Sequence, residues 1–283
     1  MHLVTAARST PADAPQISHH KSNFSFDSLT STFANIRPDV VISTSSGGSY
    51  DTQKCVIDAC IAAQVPRFIP AEFGQDSLND GIQKRLPPTG ERAGVINYLQ
   101  NIPKNEDFEW CAVATGYTLD HGLLSGNLGF DLKWQSATVP GNGSESFAAS
   151  SAAWHGRVVK ATLERWDSVQ GQYLYAAGLT TSADAIKRDL QIASGKDWEV
   201  GYVDVEDILR EAERRLDRGF PDAGMFLMER SVLFDERLGA ERPFVEQDAK
   251  AVLGLEAEHL EGIIHSVLHQ QKHNHGKADC GCD

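Results

Sequence analysis

Apolar residues along this chain fall into two patterns, short unbroken runs and stripes at helical spacing. "DVVIST" (39–44), "RFIP" (67–70) and "EWCAVAT" (109–115) are short, apolar runs, the first rich in β-branched residues. Such runs predict buried parallel strands. Between the first two lies "TQKCVIDACIAAQV" (52–65), with Cys55, Val56, Ala59, Cys60 and Ala63 on one stripe and Pro66 closing it. That spacing predicts an amphipathic helix. A further helix is expected after Pro88 in "RLPPTGERAGVINYLQN", before the third run. Upstream, "LVTAA" (3–7) reads as a strand, and "SFDSLTSTFANI" places Leu29, Phe33 and Ile36 at helical spacing behind Asp27. Strand, helix and strand in this alternation predict an α/β fold with a parallel sheet.

From Gly122 the texture changes. Short strands ("QSATVP", "SFAAS", "QYLYAAG") mix with amphipathic helices ("SAAWHGRVVKATLER", "TSADAIKRDLQIASG"). Ser182 is placed to cap the second helix and Gly195 to end it. "VDVEDILREAERRLDRG" predicts a helix with a mostly charged face, and "EQDAKAVLGLEAEHLEGIIHSVLHQ" one or two closing helices. The final "KHNHGKADCGCD" has no apolar anchor and reads as a tail. The domains expected are an incomplete nucleotide-binding domain over 1–128, a partly interleaved substrate domain over 129–268, and a disordered His/Cys tail over 269–283.

Charge narrows the partners. The chain has 283 residues and carries 26 basic against 39 acidic ones, a formal charge of −13. No basic cluster is available for a phosphate backbone, so nucleic acid is not expected as a partner. No apolar segment approaches membrane-spanning length, and the N-terminus has no apolar leader core. Cys55, Cys60 and Cys111 sit in apolar surroundings as reduced thiols, which favours a cytoplasmic setting. In the tail, His269, His273, His275, Cys280 and Cys282 are soft ligands, but none has the Cys-x-x-Cys spacing of a structural zinc site. They read as an adventitious scavenger, and no metal site is expected. The absence of Gly-x-Ser-x-Gly and His-Glu-x-x-His leaves hydrolase and zincin readings without support.

The run "VVIST…QKCVIDACIAAQVPRFIPAEFG" resembles the NmrA-like and isoflavone-reductase-like group of short-chain dehydrogenase relatives. "RFIPAEFG" is similar to that family's R-F-x-P-S-E-F-G signature, and "ATGYTLDHGLL" to a T-G-x-x-x-D-x-G-L segment of its fungal members. "QGQYLYAAGLTTSADAI" and "KDWEV" match later parts of the pattern, so the resemblance runs from residue 2 to residue 268. It implies a Rossmann-like domain binding NADP and a smaller α+β substrate domain. Members reduce small, often aromatic, molecules of secondary metabolism or act as cofactor-sensing regulators.

Two departures from the family matter. Its opening strand and Gly-x-x-Gly-x-x-Gly loop are absent, since the first glycine here is Gly47. Those glycines would let the backbone approach a pyrophosphate at a helix N-terminus. "HLVTAARS" looks like the family's second strand, so the parallel sheet is expected to lack its first, central strand. That leaves a hole between "LVTAA" and "DVVIST", or forces the two to pair. The plant reductases also use a helical lysine as acid/base, where this chain aligns Arg92. A guanidinium is a poor proton shuttle but can hold a phosphate or enolate. Lys84 would require another helix register.

The resemblance places Arg8 at the cofactor's 2′-phosphate and the Ser43, Thr44, Ser45 and Gly47 loop against the cofactor. The plainer reading of that loop is a Gly/Ser turn, and of Arg8 a solvated surface arginine. Arg92, Tyr117 and His121 are the candidate catalytic groups, His121 because an imidazole suits proton transfer. Glu72, Phe73 and Asp120 are the candidate substrate contacts at strand ends, with a structural role for Glu72 as the alternative. Tyr50 and Lys54 match Tyr-x-x-x-Lys, but on an earlier helix than the dehydrogenase pair occupies. His155, beside Trp154, reads as a packing residue. The function expected is an NADP-dependent oxidoreductase acting on a small organic molecule, with a homodimer as the assembly considered. The alternative is a binding or regulatory relative, or a non-redox one, that has lost its cofactor.

Overall fold

The computed structural model describes residues 3–7, 17–45, 49–103 and 107–278. Contacts between Cα atoms divide the chain into two units, each assembled from three stretches. Unit 1 takes Met1–Ala71, Glu91–Ala112 and Val169–Tyr173; unit 2 takes Glu72–Gly90, Val113–Ser168 and Leu174–Asp283.

In unit 1 the expected strands are β1 (Leu3–Ala7), β3 (Val41–Ile42), β4 (Arg67–Ile69) and β5 (Glu109–Ala114). β3, β4 and β5 are adjacent and parallel, with Val41 opposite Phe68 and Phe68 opposite Trp110. The three-strand core read from the apolar runs is therefore present. Helices α1 (Phe26–Ile36) and α2 (Tyr50–Ala62) pack on each other. Ser25 caps the first, its Oγ accepting from Ser28 N–H, and Ser49 caps the second through Thr52 N–H. Leu29, Ile57, Cys60 and Phe68 are fully buried together with Ile96 and Leu99 of α4 (Pro87–Gln100). Each large aliphatic or aromatic side chain buried this way contributes about 1.5–3 kcal/mol.

Among the described residues β1 and β3 do not pair. β1 forms its own two-stranded sheet with β2 (Ile17–Lys21), in parallel from Leu3–Ile17 to Ala7–Lys21, and no ladder joins it to β3 among the described residues. The strand β2, "ISHHK", has a single large apolar residue, so hydrophobic patterning did not reveal it. It satisfies the backbone groups along one edge of β1.

Unit 2 opens with α3 (Asp80–Arg85). After β5 the chain forms β6 (Tyr117–Thr118), α5 (Leu119–Ser125), β7 (Phe130–Asp131), β8 (Ser136–Pro140), β9 (Ser146–Ser150), α6 (Ala152–Glu164) and α7 (Trp166–Val169). Then come β10 (Gln172–Tyr175), β11 (Leu179–Ser182), α8 (Ala183–Ser194), β12 (Glu199–Val203), α9 (Val205–Asp217) and α10 (Pro221–Leu233). Helices α11 (Arg242–Glu246), α12 (Lys250–Leu253) and α13 (Leu260–Ala278) close the chain. Two small sheets, β11-β9-β6 and β12-β8-β7, surround a core that includes Phe130, Phe147, Phe234 and Ile264. β10, which the changing texture placed with the second half, instead forms the edge of the parallel sheet beside β5. α13 carries helix through residues 269–278, where the composition suggested a tail without structure. Its Gln and Lys residues are good helix formers and continue a helix already anchored by Ile263, Ile264 and Val267.

Candidate functional site

In unit 1, polar side chains gather where β3 ends. Ser43 N–H donates to Ile69 O at 2.8 Å, which prolongs the ladder and turns the Ser43 side chain inward. Its Oγ lies 3.2 Å from Ser45 Oγ, which accepts from Gln53 Nε2 at 3.2 Å. Gln53 Oε1 is buried without a partner among the described residues. Thr44 is exposed. The N-terminus of α2 already holds a carboxylate, because Glu91 Oε2 accepts from Tyr50 N–H at 2.7 Å. Arg92 follows on α4, half-buried. Gly47 and Arg8 lie outside the described residues. The Tyr50/Lys54 motif is used for packing. Lys54 Nζ pairs with Asp58 at 2.6 Å and sits 4.7 Å from the centre of the Tyr98 ring.

Among the described residues, these fit one end of a dinucleotide and none is placed for its middle. Hydroxyls, an amide and an orphaned acceptor are available at the β3 end. The pyrophosphate requires free N–H groups beside a central strand. Here the α2 N-terminus faces Glu91, and β1 and β3 stand in separate sheets.

In unit 2 the "EFGQDS" turn after β4 packs its polar side chains inward: Glu72 is 1% exposed, Asp76 4% and Ser77 0%. Thr115 and Gly116 N–H both donate to Gly74 O, at 3.0 and 2.9 Å, which fixes the turn against the end of β5. Gly116 must be glycine, since its φ is +74° and a Cβ would stand 2.5 Å from Ala148 O. Tyr175, from β10, donates its hydroxyl to Asp76 Oδ1 at 3.2 Å. Burial, then Asp76, pushes the Tyr175 phenol up.

Phe73 stacks on His155, with ring centroids 6.1 Å apart and planes 23° apart. His155 stands in the first turns of α6, whose start is fixed by carboxylates. Ser151 caps α6, its Oγ accepting from Trp154 N–H at 3.1 Å. Asp120 accepts from Ala152 N–H at 3.0 Å. Glu258 accepts from Ser151 N–H at 2.8 Å and Oγ–H at 2.7 Å, and pairs with Arg157. Trp154 Nε1–H donates to Ala176 O at 2.7 Å, so the helix face carrying His155 cannot roll. The His155 Nε2 atom is buried without a hydrogen-bond partner among the described residues. Burial lowers the pKa of this imidazole, an effect that Asp120 and then Glu258 oppose.

The structure thus places the expected residues differently from one another. Glu72 and Phe73 join the strand-end turn as expected. Asp120 is committed to the N-terminus of α6, and His121 is exposed, its backbone N–H donating to Asp120 at 2.9 Å. Tyr117 is 7% exposed, in edge contact with Phe147, and its phenol is pushed up by burial. Its hydroxyl abuts Gly122, where a Cβ would come within 2.3 Å. His155, Asp76, Tyr175 and Glu258 were not singled out for chemistry in the sequence; they lie far apart along the chain, and no local motif joins them. Each unit also carries a cleft, of about 1050 Å³ at the starts of β4 and β5 and about 320 Å³ beside α5 and β7, and neither is lined by an expected site residue.

The parallel sheet, the strand-end turn and the buried polar cluster beneath it define an α/β protein of the isoflavone reductase fold. The crystal structures of pinoresinol-lariciresinol and phenylcoumaran benzylic ether reductases match with a TM-score of 0.69 at 14% identity, over 89% of this chain and 82% of theirs. The leucoanthocyanidin reductase–NADPH complex from Vitis vinifera matches with a TM-score of 0.68 at 13% identity, over 94% and 90%. No family model matches the chain. In sequence, the oxidoreductase aprR of Aspergillus flavus is 33% identical over 231 residues, covering 81% of this chain and 77% of the relative. The chain belongs to the NmrA-like, isoflavone-reductase-like family of oxidoreductases.

Proposed function

We propose that this chain is an NADPH-dependent reductase of a small aromatic molecule of secondary metabolism, seated against the Phe73–His155 face. The observation that carries the reading is the orphaned Nε2 of His155. A buried nitrogen without a partner costs about 1–3 kcal/mol, and a ligand oxygen that supplies the partner recovers it. Phe73, half-buried, lies across the imidazole and offers a flat apolar surface. Aromatic stacking on it is worth about 0.5–1.5 kcal/mol beyond area burial. Burial keeps the ring neutral near pH 7, so Nε2 is free to hold or move a proton at the ligand oxygen. The Asp76–Tyr175 bond fixes the turn that carries Phe73.

NADPH, when bound, would supply the hydride. Ser43, Thr44 and Ser45 in unit 1 would hold one end of it, with Arg8 and Gly47 as further contacts, and Arg92 would hold an anionic group. The solved relative bound to NADPH supports the cofactor, and the fungal relative supports the reaction class.

Two measurements test this. NADPH oxidation is followed with a panel of aromatic ketones and enones, and NADPH is titrated calorimetrically into the full chain. Turnover that falls at least about tenfold in His155→Ala, with NADPH affinity kept, supports the reading, since tenfold is about 1.4 kcal/mol of transition-state stabilisation. No binding at millimolar NADPH and no turnover would leave the non-catalytic reading standing instead. The separate β1–β2 sheet is the observation that favours that second reading.

A further inference from the structure

Glu261, His265, His269 and His273 recur every fourth residue along α13. At that spacing successive side chains share one helix face. All four are exposed. His265 Nε2 stands 3.7 Å from Glu261 Oε1. One turn on, His269 Nε2 and His273 Nε2 face each other at 3.1 Å, with ring centroids 4.3 Å apart and planes tilted by 56°.

As a hydrogen bond, this contact requires one imidazole to donate and the other to accept, in water, where it is worth little. As a chelate it uses both lone pairs at once. Nitrogen ligands bind late first-row ions at about 2.0–2.1 Å, and two of them 3.1 Å apart then subtend about 100° at the metal. That angle suits neighbouring positions of a tetrahedral or tetragonal site.

We propose that His269 and His273 form a two-nitrogen chelate for a divalent ion of the Ni²⁺, Cu²⁺ or Zn²⁺ type on the exposed face of α13. Among the described residues no group of three or more such side chains could hold an ion, so water fills the remaining positions. Affinity is accordingly in the micromolar range rather than that of a closed structural site. The ion spans one turn and binds only when that turn is helical, so it clamps the end of α13. The formal charge of −13 adds a general attraction for cations. This site is independent of the proposed reduction.

Cys280 and Cys282 could bind the same ions, so the test is made in the full chain carrying Cys280→Ser and Cys282→Ser. NiCl₂ is titrated calorimetrically near neutral pH. One Ni²⁺ per chain is expected, and His269→Gln or His273→Gln should each weaken it by at least about tenfold, the difference between two nitrogen ligands and one. Ni²⁺ should also raise the thermal midpoint of the chain holding both histidines and not that of either Gln variant. Equal midpoints of all three chains in EDTA establish that the variants fold. Affinity unmoved by both Gln substitutions, or uptake that disappears with the two cysteines, would overturn the chelate.

Discussion

At the scale of single residues, the clearest consequence concerns His155. Burial lowers its pKa below the ordinary 6.5, so the folded state resists protonation more than the unfolded chain does. Between the folded value and about 6.5 the unfolded state binds the extra proton, so stability falls as pH falls through that window. Urea midpoints measured above and below it should therefore converge more closely in His155→Gln than in the parent chain. An unchanged pH slope in the variant would show that other groups set it. Arg37 gives a second case. It closes α1 with φ of 54°, is exposed, and donates its backbone N–H to Phe33 O at 2.7 Å. A side chain in the left-handed region costs roughly 1–2 kcal/mol that glycine does not. Arg37→Gly should thus raise the thermal midpoint, and a fall would mean that the arginine makes a contact worth more than its strain. Gly116→Ala should do the opposite and lower the midpoint, by about 1–3 kcal/mol in stability or more, because Ala148 O blocks the new methyl.

At the scale of elements, α6 depends on groups remote in sequence. Losing the Ser151 cap by substitution to alanine should cost about 1 kcal/mol. Glu258→Ala should cost more, because it leaves Ser151 N–H and Oγ–H without an acceptor and Arg157 without its partner. If Ser151→Ala proves the more damaging in urea unfolding, the helix start is not held from Glu258. At the other end of the chain, α13 is anchored by Ile263, Ile264 and Val267, all before residue 272. Deleting residues 272–283 should leave the midpoint in chelator-treated buffer unchanged, and a drop of several degrees would mean that this last stretch docks. Much of this level was legible in the sequence. Ser182 caps α8 and Gly195 ends it at φ of 66°, as their chemistry required. β2 was not legible, because a strand held by backbone pairing with β1 needs no apolar side chains to announce it.

At the scale of the whole molecule, two sheets divide unit 1. A two-stranded ribbon is marginal by itself. Amides of β1 and β2 should therefore exchange with solvent faster than those of β4 and β5, whose strands are buried between neighbours. Binding of NADPH should slow exchange at the end of β3 in Ser43–Ser45 if that segment receives the cofactor. Exchange there unaffected at saturating NADPH would remove the assignment.

The sequence by itself determined the parallel three-strand core, the helices between its strands and the family, since these follow from periodicity, capping and the local "RFIPAEFG" turn. It also located Glu72 and Phe73 at a strand end. Only the tertiary structure decided what the polar residues do. Asp120 had the position of a substrate contact, yet the N-terminus of α6 delivers an N–H to it. Tyr117 had the position of an acid, yet Phe147 and Gly122 enclose it. His155 read as packing, and the ring that it packs against is Phe73, from a segment 82 positions earlier. Local pattern reports what a residue prefers, but whether it touches water, a helix end or a ligand depends on partners that folding brings from elsewhere in the chain.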